Sequence, residues 1–530
     1  MGYYLNPDNI DFQYALNSEI YVDKSSLIAL TNSVVRTLQK YVCVSRPRRF
    51  GKSMAANMLT AYYSCGCDSR DMFAPLKISS DDSFEKHLNK YNVIHINMID
   101  FLNNGDSIAE NLDYLSKSLI YEIKNENEDV DCFDRDDLVT VLGDVFAETG
   151  KQFIFIIDEW DCVFRIKKYS ADDRNEYLNF LRNLLKDKSY VALAYMTGIL
   201  PIKKNGFNSS LNMFSEISMI SAGRYAEFTG ITDDEVRALC KEYSTSFEDI
   251  KRLYKGYSVK GISIYNPLSV IECLRNNKFS NYWTSTETYD ALKVYIQADF
   301  DGLHDKVTRM IAGEKIEVNT AKFQNDMTTF ASADDILTLL VHLGYLTYEA
   351  FGINALGRGL VWIPNAEVQQ EFINCIEDGG WENVMSAIRS SERLLEDTLK
   401  GNEKAVSDAL RELHYQNTSL LTYNNENSLS CLLSLAFYSA KKYYTIFREL
   451  ETGEGFADLV FIPLKHSDKP AMLVELKYDK SADTAISQIK EKRYHGSLTE
   501  YLDKLIIVGI NYDKNSKEHT CRIERYNVKK

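Results

Sequence analysis

The sequence predicts an α/β protein: a parallel sheet around a phosphate-binding turn, a mainly helical middle, and a second α/β unit near the end. Three observations carry this. Short apolar runs alternate with helical segments over the first 230 residues, the pattern of a parallel sheet covered on both faces. A strand, a basic turn ending in Gly51-Lys52-Ser53 and a helix follow one another, the order that a phosphate loop requires. Four β-like runs return after about residue 440, with a helix between the third and fourth.

The elements can be taken in order. Tyr41-Val42-Cys43-Val44-Ser45 is a β-branched run that must stop at Arg46-Pro47, because proline cannot donate to a ladder. After Ser53, MAANMLTAYYS has helical apolar spacing and good helix formers. Gly51 would let the backbone approach a phosphate, Lys52 would neutralise it, and Ser53 would bind Mg²⁺. The full G-x-x-x-x-G-K-[ST] pattern needs glycine at position 46, and Arg46 stands there. Further strands are expected at Val93–Asn97, Phe153–Ile157 and Val191–Tyr195, with a helix from Ser170 between the last two. The apolar run before Asp158-Glu159 has the form of a Walker B element: Asp158 would hold Mg²⁺ through water and Glu159 would polarise the attacking water. Thr197 ends the next strand, where a P-loop ATPase can carry a polar residue that senses the terminal phosphate; plain strand termination is the alternative.

From about Thr232 the pattern turns helical, opening with a threonine cap and an acidic first turn. The late strands are YYTIFREL, ADLVFIPL, AMLVELKY and LIIVGINY, with SADTAISQIKEKRY as the helix. Strand alternation puts Glu475 and Lys477 on one face. Two charges side by side at a strand end are costly to bury unless they pair with each other or with a metal. A Mg²⁺ ion held by Asp458 and Glu475, with Lys477 orienting a water, would resolve that cost; a surface salt bridge is the alternative.

Length and composition bound the rest. A chain of 530 residues with 45% hydrophobic and 26% charged residues reads as a globular protein of several domains, divided at 1–230, 231–415 and 416–530. A formal charge of −15 works against general nucleic-acid affinity without excluding a local basic groove. Only Cys65-Gly66-Cys67 forms a close cysteine pair among ten, so reduced thiols and a cytoplasmic location are expected. No apolar run approaches the ~20 residues that cross a bilayer, so no membrane partner is expected.

The chain resembles the divergent AAA-ATPase-like family whose C-terminal part is a PD-(D/E)XK nuclease-like domain. The resemblance rests on Tyr21-Val22-Asp23-Lys24-Ser25, Ser45-Arg46-Pro47-Arg48-Arg49-Phe50-Gly51-Lys52-Ser53, Ile157-Asp158-Glu159, Thr197-Gly198-Ile199-Leu200-Pro201-Ile202 and Tyr265-Asn266-Pro267. It implies a P-loop NTPase (AAA-like) sheet, a helical lid and a restriction-endonuclease-like domain, with ATP and Mg²⁺ as cofactors. That family carries arginine where the first loop glycine is expected; Arg46, Arg48 and Arg49 would then add charge near the nucleotide or contact another domain, with a solvated basic turn as the alternative. The resemblance further implies Glu426 as a helical metal ligand beside Asp458 and Glu475, and Gln488 with Tyr494 as contacts to substrate phosphate. Alanine replaces the proline of the motif, and Phe456 stands where a basic residue is common. Nucleic acid, DNA first, is the implied partner of the C-terminal domain, and self-association stays open. The competing class is a nucleotide-dependent switch or scaffold that binds without cutting; a kinase or transferase built on the loop is a third.

Overall fold

Tyr41–Ser45 forms β1, and all five residues are buried. The computed structural model describes residues 2–102, 105–166, 168–202, 211–259, 261–283, 289–297, 300–323, 330–352, 355–417, 426–452, 455–465, 467–491, 498 and 501–526. Four more strands join β1: β2 (Asn92–Asn97), β3 (Phe153–Asp158), β4 (Val191–Gly198) and β5 (Ser215–Ile217), in the order β2-β3-β4-β1-β5. Every pairing in this sheet is parallel. β3 and β4 are buried along their whole length. Their near-continuous apolar runs therefore face helices on both sides, and each fully buried aliphatic or aromatic side chain contributes about 1.5–3 kcal/mol.

The register aligns the strand ends. Ser45 pairs with Gly198 and Val44 with Thr197, while Asn97 pairs with Asp158. The turn after β1 and the ends of β3 and β4 thus share the carboxyl edge of the sheet, where open α/β sheets bind ligands. β5 escapes the sequence reading, because Ser215-Glu216-Ile217 is a three-residue edge strand with little apolar signal.

By internal contacts the chain forms two compact units, Met1–Thr288 with Glu317–Gln369, and Tyr289–Ile316 with Gln370–Lys530. Helices predominate between residues 232 and 417, as expected. Thr232 caps Asp233–Glu242 in a capping box with Glu235, and Gly401, at φ 78, ends Glu382–Lys400. The same stretch also holds two three-stranded sheets absent from the sequence reading. They are β6 (Ile231–Thr232), β7 (Lys255–Val259) and β8 (Ile262–Tyr265), and β9 (Ile316–Asn319), β10 (Thr347–Ala350) and β11 (Arg358–Trp362). Strands of two to five residues are too short to establish a period of two against a helical background.

The C-terminal sheet has the order β12 (Tyr444–Thr452), β13 (Gly455–Pro463), β14 (Met472–Tyr478), β15 (Ile506–Asp513) and β16 (Glu518–Arg525). β14 and β15 are parallel, joined through the helix Ala482–Glu491, and the other pairs are antiparallel. β16 is a fifth strand beyond the four expected; its sequence, EHTCRIER, is charged because it lies at the sheet edge with most residues partly or fully exposed.

On β16, His519 Nε2 and His414 Nδ1 are 2.8 Å apart, and both rings lie near Tyr512. Burial lowers His414 from the ordinary 6.5 to about 4 and His519 to about 3. Both groups are neutral when folded, so their stabilisation is complete above pH 6.5 and is lost as pH falls toward 4, where only the unfolded chain takes up protons. At 1.36 kcal/mol per unit, stability should drop by about 2–4 kcal/mol between pH 7 and pH 5 from this pair. Denaturant unfolding of a His414→Asn/His519→Gln variant should show a correspondingly flatter pH dependence; an unchanged slope would count against the pair.

Candidate functional site

The turn after β1 is shaped by backbone as much as by charge. Arg49 and Gly51 have φ 65 and 83, and this left-handed step lets the helix Lys52–Tyr63 start directly behind the turn. Lys52 is buried, and its Nζ donates to Pro47 O at 3.0 Å. Burial lowers the Lys52 pKa, while Glu159, Asp158 and Asp161 act to raise it. Ser53 is exposed on the first turn. Arg48, Arg49, Gly51, Lys52, Ser53, Glu159 and Arg165 line one open cleft of ≈1030 Å³. A cleft with four cations and a helix N-terminus suits a polyphosphate.

Asp158 and Thr197 are buried near the carboxyl ends of β3 and β4, and neither is among the residues that line the cleft. Asp158 Oδ1 accepts from the Thr197 hydroxyl and from the Glu159 amide at 3.0 Å. Glu159 has φ 54, an unusual backbone for a non-glycine residue that costs about 1–3 kcal/mol. Burial raises its pKa, opposed by Lys52 and Arg165. Arg165, on the short helix Cys162–Arg165, pairs with Glu159 and stands 3.2 Å from Asp161 Oδ2. The sequence reading missed Arg165 and Asp161; their closeness in sequence to Asp158-Glu159 was the available signal.

Arg46 lies elsewhere. It is 1% exposed, with Nε donating to Thr229 Oγ1 at 2.9 Å and Nη1 to Ser45 O at 3.0 Å. Burial lowers its pKa to about 10. The structure brings Arg48, Arg49, Lys52 and Ser53 to the cleft and places Arg46 behind the turn, bracing it against Thr229. Trp160 is packed in the core with its ring against Phe164. A Cβ on Gly198 would stand 2.7 Å from the Trp160 ring, which accounts for glycine in the Thr197-Gly198 step.

Beside Gly51 lies a small, mostly apolar pocket. Tyr21, Val22, Phe50, Met54, Ile231 and Pro267 are among the residues that line it. The resemblance-bearing Tyr21–Ser25 and Tyr265–Pro267 stretches thus flank the pocket or brace it. Lys24 Nζ binds Glu235 Oε2 at 2.6 Å, and the Tyr265 hydroxyl donates to Asp233 Oδ1 at 2.8 Å.

In the C-terminal unit, β13 and β14 pair Val460 with Leu473 and Leu459 with Val474. One further step sets Asp458 opposite Glu475 on one face. Asp458 Oδ2 accepts from the Leu476 amide at 2.7 Å. Lys477 Nζ donates to Glu475 Oε1 at 2.8 Å, and Gln488 Nε2 also donates to that oxygen. The Glu475 and Lys477 side chains are 3% and 8% exposed, so theirs is a buried pair, not a surface salt bridge. The side chains of Glu426 and Phe456, and residue Tyr494, lie outside the described residues. Among the described residues no group of three or more His, Cys, Asp or Glu is arranged to hold a metal. Two carboxylates at a strand pair are hard oxygen donors that fit Mg²⁺, which keeps waters and takes its remaining ligands from substrate phosphate.

Among the described residues no helix is long and apolar enough to cross a membrane. A curated relative, an uncharacterized protein in the vnfD 5′ region of Azotobacter chroococcum mcd 1, is 23% identical over 499 residues, spanning 89% of this chain and 90% of its own length. Two solved structures are more distant. The Aeropyrum pernix ORC2 protein, solved as ADPNP–ADP complexes, is 10% identical with a TM-score of 0.30, covering 70% of this chain and 98% of its own. The ORC1 protein of the same organism, in complex with DNA, is 9% identical with a TM-score of 0.24, covering 70% and 97%. At these scores they add nothing to the fold already described. Residues 11–208 match the family model described as predicted AAA-ATPase, and residues 424–521 match the PD-(D/E)XK nuclease superfamily. Residues 11–208 are therefore similar to predicted AAA-ATPase domains, and residues 424–521 to domains of the PD-(D/E)XK nuclease superfamily.

Proposed function

We propose that the protein binds and hydrolyses ATP and uses it to control a Mg²⁺-dependent nuclease acting on nucleic acid. The observation that carries the first half is the convergence of Lys52, Ser53, Asp158, Glu159 and Thr197 at one edge of the parallel sheet. The cationic cleft would take the phosphates, and the adjoining apolar pocket, which shares Gly51 and Met54 with it, would take the base. Ser53 and Asp158 would hold the Mg²⁺ ion, which neutralises charge on the phosphates when bound. Glu159 would orient a water for attack on the terminal phosphorus, breaking the bond to the bridging oxygen and yielding ADP and phosphate.

In the second half, Asp458 and Glu475 would hold Mg²⁺ and Lys477 would orient the hydrolytic water. Gln488, already bonded to Glu475, fixes that carboxylate and faces the same site. Residues 1–230 would act as the ATP module, 231–415 as lid and middle region, and 416–530 as the nuclease module in a cytoplasmic protein, with DNA as the first substrate to try.

Incubating purified protein with supercoiled plasmid and Mg²⁺ tests the reading. Open-circular product should accumulate, at a rate that changes when ATP is added. ATP binding without any cleavage of DNA or RNA would leave the scaffold alternative.

A further inference from the structure

Glu159 and Arg165 are paired where both face the cleft. Their side chains are 16% and 14% exposed, so the pair is largely shielded from water. Arg165 is anchored from behind by Asp161, whose side chain is wholly buried and whose Oδ2 also accepts from the Leu200 amide at 2.9 Å. Asp161 is therefore fixed just beyond the end of β4, and Arg165 is anchored to it. On the other side, Glu159 is held by its left-handed backbone and by its amide bond to Asp158. A carboxylate engaged by a guanidinium is a poor acceptor for a water proton, because its lone pairs and charge are already committed.

A nucleoside triphosphate brings several negative charges into the same cleft. The terminal phosphate would compete with Glu159 for Arg165, a cleft cation already paired with that carboxylate. We propose that Arg165 is a positioning residue that exchanges partners. It holds Glu159 until a terminal phosphate takes the guanidinium, and the exchange releases Glu159 to orient water. The inference rests on the ATP reading of this cleft and adds to it a discrimination between triphosphate and diphosphate. Both states keep Arg165 paired, with Asp161 as the constant partner, so the guanidinium is not stranded during the exchange.

The test is a double-mutant cycle in the full chain with Arg165→Gln, Glu159→Gln and both together. Affinities are measured for ADP and for an ATP analogue with a non-hydrolysable β–γ bridge, so that turnover does not enter. Arg165→Gln should weaken the triphosphate analogue about 10-fold while changing ADP affinity less than about 2-fold. Glu159→Gln removes the competitor and should tighten the analogue several-fold, and that gain should vanish when Arg165 is also replaced. A merely structural Arg165 would lower both affinities alike. If the Glu159→Gln effect is the same with and without Arg165, the exchange is wrong, although the ATP site stands. Should the unmodified protein bind neither nucleotide, the ATP reading falls and the exchange falls with it. Because Arg165→Gln leaves Asp161 buried without its cation, thermal unfolding accompanies each titration, and Arg165→Lys, which keeps a charge at Asp161, repeats the cycle.

Discussion

Lys52→Ala should weaken ATP binding by about 100-fold, equivalent to about 2.7 kcal/mol, and abolish turnover. The loss comes from the charge-assisted bonds that an ammonium makes to phosphate oxygens, worth about 1.5–3 kcal/mol each in a shielded site. Lys52 is well placed to make them. It is buried at the start of the helix, its Nζ rests on a loop carbonyl, and the nearby acids oppose the lowering of its pKa by burial. Its removal also takes a compensating charge from Glu159, Asp158 and Asp161, so thermal unfolding of the variant accompanies the titration. Titration with a fluorescent ATP analogue reads the effect directly. Tight binding retained by Lys52→Ala would falsify the assignment of the loop.

The same loop shows where sequence reasoning reached and where it stopped. β1, the proline that ends it and the helix behind Gly51 were legible because each depends on local rules: β-branched residues, a missing donor, helical spacing. The apolar run FIFIID announced β3 for the same reason. What a linear reading could not supply was depth. Arg46 and Arg49 look alike in RPRRFGKS, yet Arg46 turns inward to Thr229 while Arg49 lines the cleft. Their separation depends on a residue 183 positions away. Arg165 was passed over for a related reason: its importance comes from Asp161 and Glu159 around it, and its spacing from Glu159 forms no motif. In the C-terminal unit the alternation of β14 correctly put Glu475 and Lys477 together, but only the fold shows them buried. The charged edge strand β16 was lost because an exposed edge needs no apolar pattern.

Glu475→Gln should abolish Mg²⁺-dependent nicking, with a fall of at least about 100-fold, while leaving ATP affinity within about 2-fold. Glutamine is the informative replacement. Alanine would leave the Lys477 ammonium buried without its carboxylate, a loss that typically costs about 3–5 kcal/mol and would confuse inactivity with unfolding. Glutamine keeps an acceptor for Lys477 Nζ and for Gln488, both of which bond to Glu475 Oε1, and removes only the negative charge a metal would need. Lys477→Met makes the complementary test. Its apolar stem fills the same space, and nicking should fall about 10²–10⁴-fold if the ammonium orients the attacking water. The two variants act through different groups on one strand face, so their combination should be scarcely worse than either alone. Independent, multiplying losses would mean that the two groups do not act as one unit in the reaction. Nicking that survives in Glu475→Gln at the unmodified rate would place cleavage at another site and return the C-terminal domain to a binding role.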